Sequence, residues 1–196
     1  MKYFIGLCFL TCSVVPSFGT TISFATPTGD QGTSHTYSGI TATAYGSGNK
    51  DLYGKSDGSG ENGVGINNGR DSTHEVQVGE FIQLDVTSLE GLSISFTMNS
   101  TTGSDKWKVF ESNSAFATGG SCSSTLTVCG TNEGLQSITI ASGMHFLDFT
   151  AIQGDVLLNS ISYTATPEPL SLGLTGSGLL GLFLLRRRKN GSAKID

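Results

Sequence analysis

Apolar and polar residues alternate along most of this chain. "LSISFTM" places Leu92, Ile94, Phe96 and Met98 on one side of an extended strand. "HEVQVGEFIQLDV" alternates at Val76 and Val78, slips phase across Gly79, and resumes at Phe81, Ile82, Leu84 and Val86. "WKVF", "TLTV", "LQSITI", "HFLDFTA" and "DVLLNSISYTA" continue the pattern. Period two with β-branched and aromatic residues predicts half-buried strands. Turn signals separate them at short intervals, at Glu90-Gly91, Thr102-Gly103, Gly119-Gly120, Asn132-Glu133-Gly134, Ser142-Gly143 and Gln153-Gly154. Between residues 20 and 166 no stretch carries a 3.6-residue apolar face. The predicted fold is all-β, a jelly-roll-like β-sandwich.

Three segments break the rhythm. Residues 1–19 read "MKYFIGLCFLTCSVVPSFG". Lys2 supplies a positive n-region, Tyr3 to Val15 an apolar h-region, and Ser17-Phe18-Gly19 the small residues of a signal-peptidase site, so cleavage after Gly19 is expected. Phe9-Leu10-Thr11 before Cys12 is a poor lipidation site. Residues 46–74 are glycine-rich and predict a long functional, ion-bound or mobile loop that packs no core. Residues 170–185 carry no charge and end in Arg186, Arg187, Arg188 and Lys189. Sixteen helical residues reach about 24 Å, against about 30 Å of hydrocarbon, so a single span needs snorkelling or local thinning. The basic cluster would stop the helix on the cytoplasmic side, leaving residues 190–196 as a cytoplasmic tail.

Charge sharpens the division. The chain has 196 residues and a formal net charge of −5, but residues 20–166 hold five Lys/Arg against fourteen Asp/Glu, a net of −9. An acidic domain repels phosphate backbones, which argues against a nucleic-acid partner. Cys122 and Cys129 are the cysteines left after signal removal. In an exported chain their default state is a disulfide.

Pro167-Glu168-Pro169, the glycine-spaced apolar segment and the terminal basic cluster together resemble the PEP-CTERM sorting signal of Gram-negative bacteria. The match covers residues 166–189. The resemblance implies export, a transient inner-membrane anchor with the C-terminus cytoplasmic, and recognition by an exosortase. Processing near the motif would then deliver residues 20–166 to the cell envelope or the extracellular matrix, in the company of exopolysaccharide. "LYGKSDGSGENGVGINN" and "HEVQVGEFIQLDV" are similar to the domain of many PEP-CTERM proteins, which implies a β-sandwich and no activity. Pro167 and Pro169 suit the sorting role physically, because proline resists helix and strand pairing and keeps the motif extended.

Two binding chemistries remain. Asp51, Asp57, Glu61, Asn62, Asn67, Asn68, Asp71 and Glu75 supply oxygens to the glycine-rich segment, and calcium at Asp51, Asp57, Glu61 and Asp71 is the candidate metal site. The spacing is not that of an EF-hand. Tyr53 and Trp107 are candidate glycan platforms, set against the alternative that Trp107 is core. The three histidines, His35, His74 and His145, form no HExxH, and no G-x-S-x-G appears, so no catalytic activity is expected.

Overall fold

The computed structural model describes residues 19–48, 50–58, 60–70, 72–101, 104–115, 127–131 and 133–164, together with Gly178. One compact unit spans Gly19–Thr164. Its first half contains β1 (Gly19–Ser23), β2 (Gly29–Asp30), β3 (Ser34–Tyr37), β4 (Ile40–Tyr45), β5 (Asp51–Ser56), β6 (Asn62–Asn67), β7 (Val76–Gln77) and β8 (Phe81–Asp85). A 3-10 turn at Thr87–Leu89 leads to β9 (Ser93–Asn99), β10 (Lys106–Ser112), β11 (Thr127–Gly130), β12 (Gly134–Thr139), β13 (Phe146–Gln153) and β14 (Asp155–Thr164).

The strands form two antiparallel sheets. The first runs β12-β9-β14-β6-β5-β2, with β1 and β7 also paired to β14. The second runs β11-β10-β13-β8-β4-β3. A parallel bridge joins Val78 to Ala151. The core follows from the alternation. Ile94, Phe96 and Met98 of β9 and Leu52, Val64 and Ile66 of β5 and β6 are buried in the first sheet; Ala42, Ile82, Leu84, Val109, Leu147 and Phe149 are buried in the second. The two layers meet where the Phe96 ring stands edge-on to Trp107 and to Phe149, with centroids 5.5 Å apart in both cases. This is a β-sandwich with one contiguous hydrophobic core.

One expectation needs correction here, and one alternative is decided. The glycine-rich segment packs core: β5 and β6 pair from Asp51↔Asn67 to Ser56↔Asn62 and bury Leu52, Val64 and Ile66 completely. Gly54, Gly63 and Gly65 on its two strands occupy positions where other chain segments press on the hairpin. Trp107 is fully buried, and its ring lies against Phe96 rather than solvent. It is a core residue and presents no face to a sugar.

One carboxylate is enclosed by the second sheet. Asp148 on β13 is fully buried, with Oδ1 accepting from Gln83 Nε2 at 2.7 Å and Oδ2 from Ser112 Oγ at 2.7 Å. Desolvation pushes its pKa up to about 6, with the two hydrogen bonds acting in the opposite direction.

Candidate functional site

The β5–β6 hairpin turns one face to the core. On its other face, opposed residues share a side: Tyr53 opposite Gly65, Lys55 opposite Gly63, and Asp51 opposite Asn67. The segment before β7 crosses this face. It approaches so closely that a Cβ on Gly65 would stand 2.0 Å from the His74 carbonyl oxygen and 2.7 Å from Glu75 Cα. Edge strand β2 pairs with Tyr53 and Gly54 on the other side. Between them lies a cleft of about 540 Å³, lined by Thr28, Gly29, Tyr53, Gly54, Lys55, Ser56, Asp57, Ser72, Thr73 and His74. Tyr53 and His74 stack with ring centroids 4.0 Å apart and planes inclined by 16°. His74 holds this position with a left-handed φ of 55°, a conformation uncommon for any residue with a side chain.

At the inner end of the cleft, Lys55 is held between two carboxylates. Its Nζ donates to Glu61 Oε2 and, at 2.6 Å, to Glu75 Oε1. Ser100 Oγ lies 3.0 Å from Glu61 Oε1 and 2.9 Å from Glu75 Oε2. One hydroxyl donates one proton, so it cannot donate to both carboxylates. The environments of the two acids separate their roles. Burial pushes the Glu75 carboxyl up to about 7, against the hydrogen bonds from Lys55 and Ser100, which lower it. Glu61 is lowered, chiefly by the Lys55 hydrogen bond. Lys55 itself is raised: desolvation opposes its charge, but the bonds to both acids outweigh that penalty. A proton retained on Glu75 can be donated to Ser100 Oγ while Ser100 donates to Glu61, and all three groups are then satisfied. This network fixes one wall of the cleft, and its lysine charge is already matched.

Two members of the candidate calcium set stand apart. Asp51 and Asp57 flank opposite ends of β5, and six residues of extended chain separate them by about 20 Å. Asp51 takes a hydrogen bond from Thr33 Oγ1 at 3.2 Å, and Glu61 is engaged by Lys55 and Ser100. Asp71 lies outside the described residues. Among the described residues, no three His, Cys, Asp or Glu side chains are grouped to hold a metal ion. Of the two glycan candidates, Tyr53 lines the cleft and Trp107 does not. Lys55 and Ser100 carried no signal in the sequence: Ser100 reaches the site only because β9 runs beside β14, and β14 beside β6.

Pro167, Glu168, Pro169, the segment 170–185, Arg186, Arg187, Arg188 and Lys189 lie outside the described residues, as do residues 1–18 and Cys122. Cys129, on β11 opposite Lys108, is disulfide-bonded. Among the described residues no helix is long and apolar enough to cross a membrane. No family model, curated protein or solved structure matches the chain.

The close approach at Gly65 gives a first test. Gly65→Ala is expected to lose about 1–3 kcal/mol of stability, the usual cost of overpacking, and to push His74 off Tyr53. Urea unfolding reads the first effect and the tyrosine environment in near-UV circular dichroism the second. A variant as stable as the parent, with unchanged near-UV bands, would show that the crossing segment does not rest on the hairpin.

Proposed function

We propose that the chain is an exported, non-catalytic envelope or extracellular-matrix protein, delivered by its PEP-CTERM signal through an exosortase. Residues 20–166 are the delivered domain, a jelly-roll-like β-sandwich tied by a Cys122–Cys129 disulfide. The observation that carries this reading is the order of three elements near the C-terminus: Pro167-Glu168-Pro169, sixteen uncharged residues, and Arg186–Lys189. Each is weak alone, and each has a physical role in the sequence of export, arrest and recognition. Intact mass and cell fractionation, with and without a functional exosortase, test it. The expected product starts at Thr20, ends near Pro167, and leaves the inner membrane only when the exosortase works. A full C-terminus in the inner membrane of both strains would reduce the segment to a plain anchor.

A second reading concerns what the delivered domain does. The Tyr53–His74 cleft, walled by Thr28, Ser56, Ser72 and Thr73, suits a ligand with an apolar ring face and many hydroxyls, which is the chemistry of a saccharide. We propose carbohydrate binding there, to exopolysaccharide. Tyr53→Ala should abolish retention of the folded domain on its own cell-surface polysaccharide. Retention equal to that of the parent would remove this reading and leave the sorting proposal standing.

A further inference from the structure

Away from the cleft, Lys50, Asn68 and Glu80 meet at the open end of the β5–β6 hairpin. The last paired residues there are Asp51 and Asn67, so Lys50 and Asn68 are the next two residues across the hairpin. Glu80 arrives from the turn before β8. Lys50 is 7% exposed and Glu80 is 6% exposed. Lys50 Nζ donates to Glu80 Oε1 at 2.5 Å, and Asn68 Nδ2 donates to the same oxygen at 3.0 Å. The other oxygen, Oε2, accepts the Gln77 N–H at 3.2 Å, which fixes the carboxylate. Asn68 Oδ1 accepts the Arg70 N–H at 2.8 Å.

An amine and a carboxamide therefore share one carboxylate oxygen, while a backbone N–H polarises the amide carbonyl. These are the parts of an intramolecular transamidation. We propose that Lys50 and Asn68 become joined by an isopeptide bond, with Glu80 moving the protons. Burial of an ion pair costs desolvation energy on both partners. Transfer of a proton from Lys50 Nζ to Glu80 turns that pair into two neutral groups and frees a lone pair. The lone pair forms a bond to Asn68 Cγ, and the carbonyl electrons move onto Oδ1, which the Arg70 N–H faces. Glu80 returns its proton to Nδ2 as the Cγ–Nδ2 bond breaks, and it accepts a second proton from the new amide nitrogen. Ammonia leaves and takes up that proton as ammonium, so Glu80 ends as it began. No oxidant, cofactor or metal is needed. Holding both reacting groups on one carboxylate oxygen converts a slow bimolecular reaction into a single-turnover step within the fold.

Peptide mapping of the purified full chain tests this. Trypsin does not cleave after an acylated lysine. The expected digest contains a branched peptide, in which the fragment that runs through Lys50 to Lys55 is joined to residues 56–70, one ammonia lighter than the two separate fragments. Glu80→Gln and Asn68→Ala should lose the branch while keeping the far-UV spectrum of the parent. Asn68→Asp should form the same branch, now with loss of water. Cleavage after Lys50 together with a free 56–70 fragment from folded parent protein overturns the proposal. Persistence of the branch in Asn68→Ala overturns it as well. Should Glu80→Gln fail to fold, the Asn68 pair of variants still decides.

Discussion

Replacing Trp107 by alanine lowers the stability of the domain by about 3–5 kcal/mol, the range for removing a large aromatic from a packed core. The ring is fully buried and meets Phe96 edge-on across the two sheets. Backbone also presses on it: a Cβ at Gly130 would stand 2.3 Å from the indole. Neither neighbour can relax into the space without moving a strand, so the cavity stays open. Since a domain of this size is stable by about 5–15 kcal/mol, the loss takes a large share of the total. Urea unfolding followed by far-UV circular dichroism reads it, because Trp107 is the chain's one tryptophan and its fluorescence is lost with it. A loss below about 1 kcal/mol would mean that the indole is not packed between the sheets. Polysaccharide retention by the folded fraction should not change, in contrast to Tyr53→Ala.

The second large effect is on pH. Asp148 is held near 6 when folded against 3.8 for the free side chain, and burial is the cause. The folded state therefore binds the proton more tightly than the unfolded chain does. That contribution is fully present below about pH 4 and is lost as pH rises through about 6. A shift of about two pH units corresponds to roughly 3 kcal/mol. Glu75, pushed up to about 7 by burial, acts with the same sign and extends the loss towards pH 7. Glu61 is lowered by the Lys55 hydrogen bond and acts with the opposite sign, but it is partly exposed and solvent weakens its effect. Asp148→Asn isolates the buried group, since a carboxamide matches the protonated acid in shape. The variant is expected to equal the parent near pH 4 and to exceed it by about 2–3 kcal/mol at pH 8. Parallel stability curves for the two proteins between pH 4 and pH 8 would show that Asp148 does not carry the burden assigned to it.

How far the sequence reached depends on which residues carried the signal. The alternation in "LSISFTM" became β9 with Ile94, Phe96 and Met98 buried, and the phase slip at Gly79 lies in the turn between β7 and β8. These are local patterns, written in neighbouring residues. The β5–β6 hairpin was missed although "NGVGIN" also alternates, because its outward positions are glycines and the stretch scores as loop. The reason for those glycines is non-local. A Cβ on Gly54 would meet the Pro27 carbonyl oxygen at 1.9 Å, and one on Gly65 the His74 carbonyl at 2.0 Å. The spatial relation of the candidate calcium carboxylates was also hard to read. Carboxylates six residues apart looked neighbouring in the sequence, and an extended strand sets Asp51 and Asp57 far apart. Tyr53 was legible as a candidate glycan platform, but its partner His74 and the Lys55–Glu61–Glu75–Ser100 network come from contacts that only the closed sheets create.

The placement of β14 bears on how the domain would carry load. Its Ser160–Tyr163 stretch pairs with β9 on one side and with β1 on the other. Whatever follows Thr164 is thus continuous with a strand clasped along both edges. A pull applied to Thr164 along the strand axis would shear the hydrogen bonds on both sides together rather than peel them one at a time. Rupture under such a geometry demands many simultaneous breaks. Load in that direction would meet both edges of β14 at once.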